Sequence, residues 1–234
     1  MNFLIVILLL VIVIVCIYFF FIKKTESTNI KELYAEGLDM LVSGKRKAAY
    51  KNFKLIVEKD SNNIRAYIRL GQVLREGGKA AKAIKMHKNL LIRKDITNYE
   101  MIELYKNLTL DYYKIKNYKQ SIVECKKILE YESNNEWAIN QLILLSIKDK
   151  DWSQATHFLK TSFEKTGKTD NDKLSLFKIQ QSKKLINEKK FNEAREILDK
   201  ALNLKQDSYP VYYFIAKSYS EESSIEYNKA VEIQ

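Results

Sequence analysis

Histidine and cysteine are the side chains most often used to bind metals or attack carbonyls, and this 234-residue chain has only two of each. Two Cys cannot build a disulfide framework or a four-thiolate zinc site, and no Cys/His pair stands at ligand spacing. His87 falls where a packed aromatic is expected, so it reads as a core histidine. His157 follows Thr156 on a face expected to be exposed, without a Cys or His partner. Asp170, Asn171 and Asp172 form a polar loop with too few ligands for calcium. The chain has no Gly-rich phosphate loop, no G-x-S-x-G and no H-E-x-x-H. These absences predict a non-enzymatic protein with no cofactor and no metal. What remains is binding chemistry. Folded as the paired helices derived below, the chain should present Arg65, Arg75, Lys106, Tyr113, Lys114, Lys148, Lys183, Tyr213 and Lys217 on one inner face. Seven of these nine are cationic, so the face would favour an acidic or C-terminal carboxylate-bearing segment, with the two tyrosines adding apolar contact. The competing reading is compositional, because Lys is abundant throughout, beside many Asn and Ile.

The elements that would position these residues follow from periodicity. One Pro and six Gly are too few to turn the strands of a β-sheet protein, which points to an all-α fold. Gly37 and Gly71 are 34 residues apart, as are Ala49 and Ala83, Phe53 and His87, and Ser121 and Ala155. Steps of 38 (Ala83 to Ser121) and 39 (Ala155 to Ala194) place extra residues at polar connections near 93–98 and 167–173. Thirty-four residues is the period of the tetratricopeptide repeat, a helix–turn–helix unit. In the second unit, Tyr67, Leu70, Gly71 and Leu74 share one face of helix A. Gly77 and Gly78 make the turn, and Ala83, His87 and Leu90 line helix B. Gly71 and Ala83 let the two helices approach closely. The third unit uses Tyr105, Leu108, Tyr112, Tyr118, Ser121, Cys125 and Ile128. The fourth uses Ile139, Leu142, Trp152, Ala155 and Leu159, with Trp152 a turn-and-core residue. The fifth uses Leu185, Phe191, Ala194, Leu198 and Ala201. A sixth starts at Tyr209-Pro210 with Tyr212, Ile215 and Tyr219, and Tyr227 and Ala230 open its second helix. The predicted units are 30–63, 64–97, 102–135, 136–169, 175–208 and a partial 209–234. Together 25–234 would form a right-handed tetratricopeptide superhelix of five to six units, each burying its apolar face against its neighbours.

The first two dozen residues are of another kind. Residues 3–22 are apolar without a break, and all charged residues come after them, with a formal net charge of +11. Twenty residues at about 1.5 Å rise span about 30 Å, the hydrocarbon thickness of a bilayer. Insertion of the eighteen Leu, Ile, Val and Phe among them is favoured by roughly 5–11 kcal/mol. A cleaved signal peptide would need a basic leading region and a small-residue cleavage site, and neither is present. The run therefore predicts an uncleaved transmembrane helix within 1–24. Lys23 and Lys24 would hold the remainder on the cytoplasmic side.

An apolar leader, a short polar linker and these repeats resemble the lipopolysaccharide assembly protein B (LapB) family. The most specific stretch is LGQVLREGGKAAKAIKMHKNLL at 70–91, with Leu70, Gly71, Arg75, Gly78, Ala83, Ile84, His87 and Leu90. YAEGLDMLVSG at 34–44, Phe53, Asp111-Tyr112 and Trp152/Ala155 extend the likeness. The resemblance implies a cytoplasm-facing adaptor of the bacterial inner membrane. Such an adaptor restrains lipopolysaccharide synthesis by presenting the LpxC deacetylase to the membrane protease FtsH, and it contacts other membrane proteins of that pathway. One departure is that family members continue into a rubredoxin-like domain with paired C-x-x-C motifs, and this chain has no C-x-x-C. The alternative is a generic membrane-anchored scaffold for another envelope assembly process. Nucleic-acid binding by a basic helical repeat is disfavoured, since no RNA-binding module is present, and homo-oligomerisation is left open.

Overall fold

The computed structural model describes residues 11–17 and 29–232, with side chains to residue 225. The anchor expected at 3–22 lies outside the described residues except for 11–17, which are helical and exposed. Among the described residues no helix is long and apolar enough to cross a membrane. From Ile30 on, the regular structure is entirely α-helical. It divides into two compact units, with the division between Met86 and His87.

The first unit contains α1 (Ile30–Val42), α2 (Arg46–Lys59), α3 (Ile64–Glu76) and the first part of α4 (Ala80–Leu90). Its core joins Leu33, Ala49, Phe53, Ile56, Ala66, Leu70 and Val73. Phe53 shows why a glycine recurs in helix A. A Cβ on Gly37 would come within 2.9 Å of the Phe53 ring, closer than nonbonded carbons tolerate. The ring fills the space the missing side chain leaves, and Tyr34 meets it edge-on at 5.6 Å.

The second unit holds the end of α4 and then α5 (Asn98–Lys114), α6 (Tyr118–Tyr131), α7 (Glu136–Lys148), α8 (Trp152–Thr166), α9 (Asn171–Asn187), α10 (Phe191–Leu202) and α11 (Tyr209–Glu232). Here the close approach between paired helices is polar at one step: the Ser121 hydroxyl donates to the Thr109 carbonyl at 2.7 Å, and both residues are fully buried. Trp152 packs against Phe177 at 5.8 Å. Leu198, Ala201 and Val211 form one cluster with Ile179, and Phe191 and Ala194 another with Ile186.

The turn within each hairpin has one construction. Gly44, Gly78, Lys116, Lys150 and Lys189 all take left-handed backbone angles, with φ of 72°, 80°, 60°, 60° and 61°. The following N–H reaches back to a helix A carbonyl in every case: Lys45 to Met40 at 2.7 Å, Lys79 to Leu74 at 2.8 Å, Asn117 to Tyr112 at 3.0 Å, Asp151 to Ser146 at 2.9 Å and Lys190 to Leu185 at 2.9 Å. This is the Schellman arrangement, which satisfies carbonyls left over at a helix end. It normally selects glycine, yet three of the five positions hold lysine.

Side-chain caps begin the helices between hairpins. Asn63 accepts from the Ala66 N–H at 3.0 Å, Asn135 from Ala138 at 2.9 Å and Asp170 from Lys173 at 2.8 Å. Thr97 and Glu100 form a reciprocal capping box at the start of α5. These caps explain a departure from the sequence reading. The residues inserted near 93–98 and 167–173 do not all go into loops. Helices α5 and α9 start early and run 17 residues each, against 13 for α1, α3 and α7.

The sixth hairpin expected from 209 is corrected. Helix α11 runs unbroken for 24 residues, with no turn before Tyr227. No Gly or Pro follows Pro210, and Pro210 sits in the first turn, where its missing N–H costs nothing. Its inward register also differs. Val211 is fully buried and Ser218 is buried, whereas Tyr212 and Tyr219 lie on the surface. The Tyr219 ring lies 4.2 Å from the Arg195 guanidinium, which is itself bridged to Glu222 at 2.8 Å.

Candidate functional site

The nine residues proposed for an inner face divide between the units. Arg65 and Arg75 belong to the first. Arg65 is exposed on α3, but Arg75 is only 7% exposed, so it is a buried residue and not part of an open groove. The other seven belong to the second unit.

In the second unit the helix A side chains form rows that the repeat step defines. Six residues before the close-packing positions Thr109, Ile143 and Ser182 stand Glu103, Trp137 and Leu176. Three residues further along each helix stand Lys106, Asn140 and Ile179. Lys106 is held within this lattice and is not a free cation. Its ammonium pairs with Glu103 at 3.1 Å and lies 5.8 Å from the Trp137 ring centroid, linking α5 to α7. Lys183 and Tyr213 are brought together around Phe214. Lys183 lies 5.3 Å from that ring, and Tyr213 meets it edge-on at 5.0 Å. Lys217 pairs with Glu221 at 3.5 Å. Tyr113 leans on Tyr118 of its own hairpin, with 5.8 Å between rings. Lys114 and Lys148, both exposed, have no ion partner among the described residues.

The surface that results is less basic and more apolar than the lysine count implied. Leu144 is 37% exposed, Leu176 50% and Tyr213 61%, and Trp137 is half-buried. Sequence reasoning missed Trp137, Leu144 and Leu176. The row position of Arg65, stepped forward through the repeats, was the signal that would have found Trp137 and Leu176. Exposed apolar and aromatic side chains on helices that also carry the unpaired Lys114 and Lys148 can accept an apolar peptide segment with carboxylates at its margins.

No family model matches the sequence. Over 133 residues, 57% of this chain, it is 21% identical to lipopolysaccharide assembly protein B of Escherichia coli K12. The matched stretch covers 34% of that relative, so the chain spans about a third of its length. Among solved structures, the chain is similar to a tetratricopeptide repeat protein from Parabacteroides merdae, with TM-score 0.52 and 16% identity over 86% of this chain and 76% of that one. It is also similar to YrrB, a tetratricopeptide protein with an unusual peptide-binding site, with TM-score 0.54 and 16% identity over 81% and 93% of the two chains. This is the tetratricopeptide fold.

Within the tetratricopeptide repeat, Phe53, His87, Cys125, Leu159 and Leu198 occupy one helix B position, and all five are buried. His87 is therefore a core residue, as expected. Its partner was not anticipated. Nδ1 of His87 lies 2.5 Å from Oδ2 of Asp111, and both side chains are fully buried. Asp111 stands where Val73 and Leu145 stand in neighbouring repeats, so a polar pair replaces an apolar one. An aspartate in the apolar pattern of α5 was the available clue. At the next step Cys125 donates its thiol to the Ala138 carbonyl at 3.4 Å, and burial pushes the thiol pKa up to about 12. A thiol held protonated in this way is a poor nucleophile and a poor metal ligand. His157 is exposed against Phe158, with 5.1 Å between rings. Asp170 and Asp172 are occupied in a helix cap and in an ion pair with Lys205 at 2.9 Å. Among the described residues no three His, Cys, Asp or Glu side chains gather as metal ligands would.

Proposed function

We propose that this chain is a membrane-tethered tetratricopeptide adaptor that holds a segment of a client protein on the helix A face of its second unit. The observation that carries the reading is that the repeat register puts the exposed Leu144, Leu176 and Tyr213 and the half-buried Trp137 on the helix A side of successive hairpins. Exposed apolar side chains that line up in this way are a mark of interaction surfaces. The fold it shares with YrrB, whose peptide-binding site is part of that protein's description, supports the same use. The tether is residues 3–22, whose apolar length matches a bilayer. An adaptor of this kind makes no bonds. It raises the effective concentration of its client beside a membrane enzyme.

The likeness to lipopolysaccharide assembly protein B favours one client and one enzyme: LpxC presented to FtsH at the inner membrane, with the repeats in the cytoplasm. Two experiments test the two levels separately. Photocrosslinking from a benzophenone amino acid placed at Leu176 should trap one discrete client, and Trp137→Ala should abolish it. Absence of any adduct at Leu176 would refute the adaptor face. Deletion of the gene should stabilise LpxC and raise lipopolysaccharide. Unchanged LpxC turnover, with the adduct still present, would leave a scaffold for another envelope assembly process.

A further inference from the structure

We propose that the first unit carries a second docking site, a cleft between α2 and α4 that takes an acidic amphipathic helix of a partner protein. The site is separate from the helix A face and does not depend on its reading. The cleft has a volume of about 840 Å³. Its floor is Val73 and Leu74 of α3 with Met86 of α4, and the exposed ring of Tyr50 forms part of one wall. Arg46, Lys47, Lys51 and Lys54 line it from α2, Lys79 from the turn before α4 and Lys82 from the first turn of α4. Among the described residues no acidic side chain lines it.

Several lysines on other helices lie beside a carboxylate of their own helix, as in Lys106–Glu103, Lys127–Glu124, Lys184–Glu188 and Lys217–Glu221, while others such as Lys114 and Lys148 do not; what sets the cleft apart is that its cations are gathered around one recess. In the cleft, Arg46 reaches Glu76 at 3.8 Å and Lys54 reaches Glu58 at 3.2 Å, and both glutamates lie outside the lining. Lys47, Lys51, Lys79 and Lys82 have no acidic partner among the described residues. Lys47, Lys51 and Lys54 follow the i, i+4, i+7 spacing of one helical stripe, so their charges stand in a row along the rim. A row of like charges beside uncovered apolar surface is unfavourable by itself, and an occupant that supplies carboxylates to the rim and apolar side chains to the floor relieves both costs.

The recessed floor decides between occupants. A flat anionic lipid surface, or the phosphates of a nucleic acid, would reach the lysine rim and leave the half-buried Leu74 and Met86 and the exposed Tyr50 without apolar contact. A helix with leucines on one stripe and glutamates beside it reaches both.

The test uses the full chain in zwitterionic nanodiscs and a fluorescent synthetic helix with Leu at i, i+3, i+4 and i+7 and Glu elsewhere. Binding is followed by anisotropy across a salt series. The glutamate helix should bind, and its Glu→Gln counterpart about tenfold more weakly or worse, because the rim charges go unanswered. The triple variant Lys47→Ser/Lys51→Ser/Lys82→Ser should lose about tenfold or more and show a flatter salt dependence. Tyr50→Ser should lose about threefold with the salt dependence unchanged, since it removes only apolar contact. Trp137→Ala should bind like the parent, which separates this cleft from the helix A face. Far-ultraviolet circular dichroism confirms that each variant is folded. Equal binding of the Glu and Gln helices, or undiminished binding by the folded triple variant, overturns the proposal. So does protection of α2 and α4 from deuterium exchange by phosphatidylglycerol nanodiscs, or by self-association, when the glutamate helix gives none.

Discussion

Replacing His87 and Asp111 by the residues of the neighbouring repeat tests whether a polar seam is a structural necessity or a substitution the fold tolerates. Asp111→Val removes the carboxylate 2.5 Å from His87 Nδ1, deep in the core, where both side chains are fully buried. That loss costs about 2–4 kcal/mol, the range between a missing hydrogen bond and a broken buried ion pair. His87→Phe leaves a fully buried carboxylate without its ring partner and costs about 3–5 kcal/mol. The double variant reproduces the Phe53/Val73 pair, which shares one core cluster in the first unit. It should return to within about 1–2 kcal/mol of the parent, the residual being the strain of a slightly larger ring. The coupling energy of the cycle is then about 3–8 kcal/mol, well above the additivity expected of independent sites. Urea unfolding followed by circular dichroism resolves this, because at about 2 kcal/mol per molar the single variants move the midpoint by about 1–2.5 M. Single costs below about 1 kcal/mol, or costs that simply add in the double variant, would refute the reasoning.

Three further perturbations follow from the same geometry. Lys116→Gly and Lys150→Gly remove a left-handed lysine from a Schellman turn with φ of 60°, and each should stabilise by about 0.5–1 kcal/mol, read as a higher melting temperature. Gly37→Ala drives a methyl to 2.9 Å from the Phe53 ring and should destabilise by about 1–3 kcal/mol, with Phe53→Leu recovering part of the loss in a thermal melt. The Cys125 thiol has its folded pKa raised above its ordinary 9.0 to about 12, so the folded state keeps a proton that the unfolded state releases. That contribution is fully present below pH 9.0 and is lost as pH rises toward 12, and Cys125→Ala should flatten this part of the urea midpoint–pH curve.

Periodicity made the hairpins legible because the residues that allow close helix approach are small and few, and their steps of 34 and 38 show without any structure. The ends of helices were harder to read. The extra residues before α5 and α9 are polar, and polarity reads as loop. Yet Thr97 with Glu100, and Asp170 with the Lys173 N–H, cap helices that start a turn earlier. The turn signal misled in the opposite direction. Gly44 and Gly78 announce left-handed turns, but Lys116, Lys150 and Lys189 make the same turn with no local mark. In α11, conversely, a second helix was placed where nothing stops the first.

The candidate face was read least well, and the cause is electrostatic. Counting cations along a sequence treats each as an independent positive charge facing outward. In the folded chain, Lys106 is answered by Glu103, three residues away on its own helix, and Lys217 by Glu221, four residues away. Lys183 lies against the Phe214 ring, and Arg75 is buried. Local pairing of this kind removes most of the long-range field that the count promised. On the adaptor reading proposed above, the second-unit face would discriminate by shape and apolar contact at Trp137, Leu144 and Leu176. The cleft of the first unit is the reverse case, since its rim lysines lie on α2 and around the start of α4, with no carboxylate among the described lining residues. If both sites bind, raising salt should release an acidic helix from the cleft while a client on the helix A face stays bound, because screening acts on charge and leaves apolar burial intact. Loss of both ligands over the same salt range would show that the surviving lysines, and not the aromatic surface, hold the client.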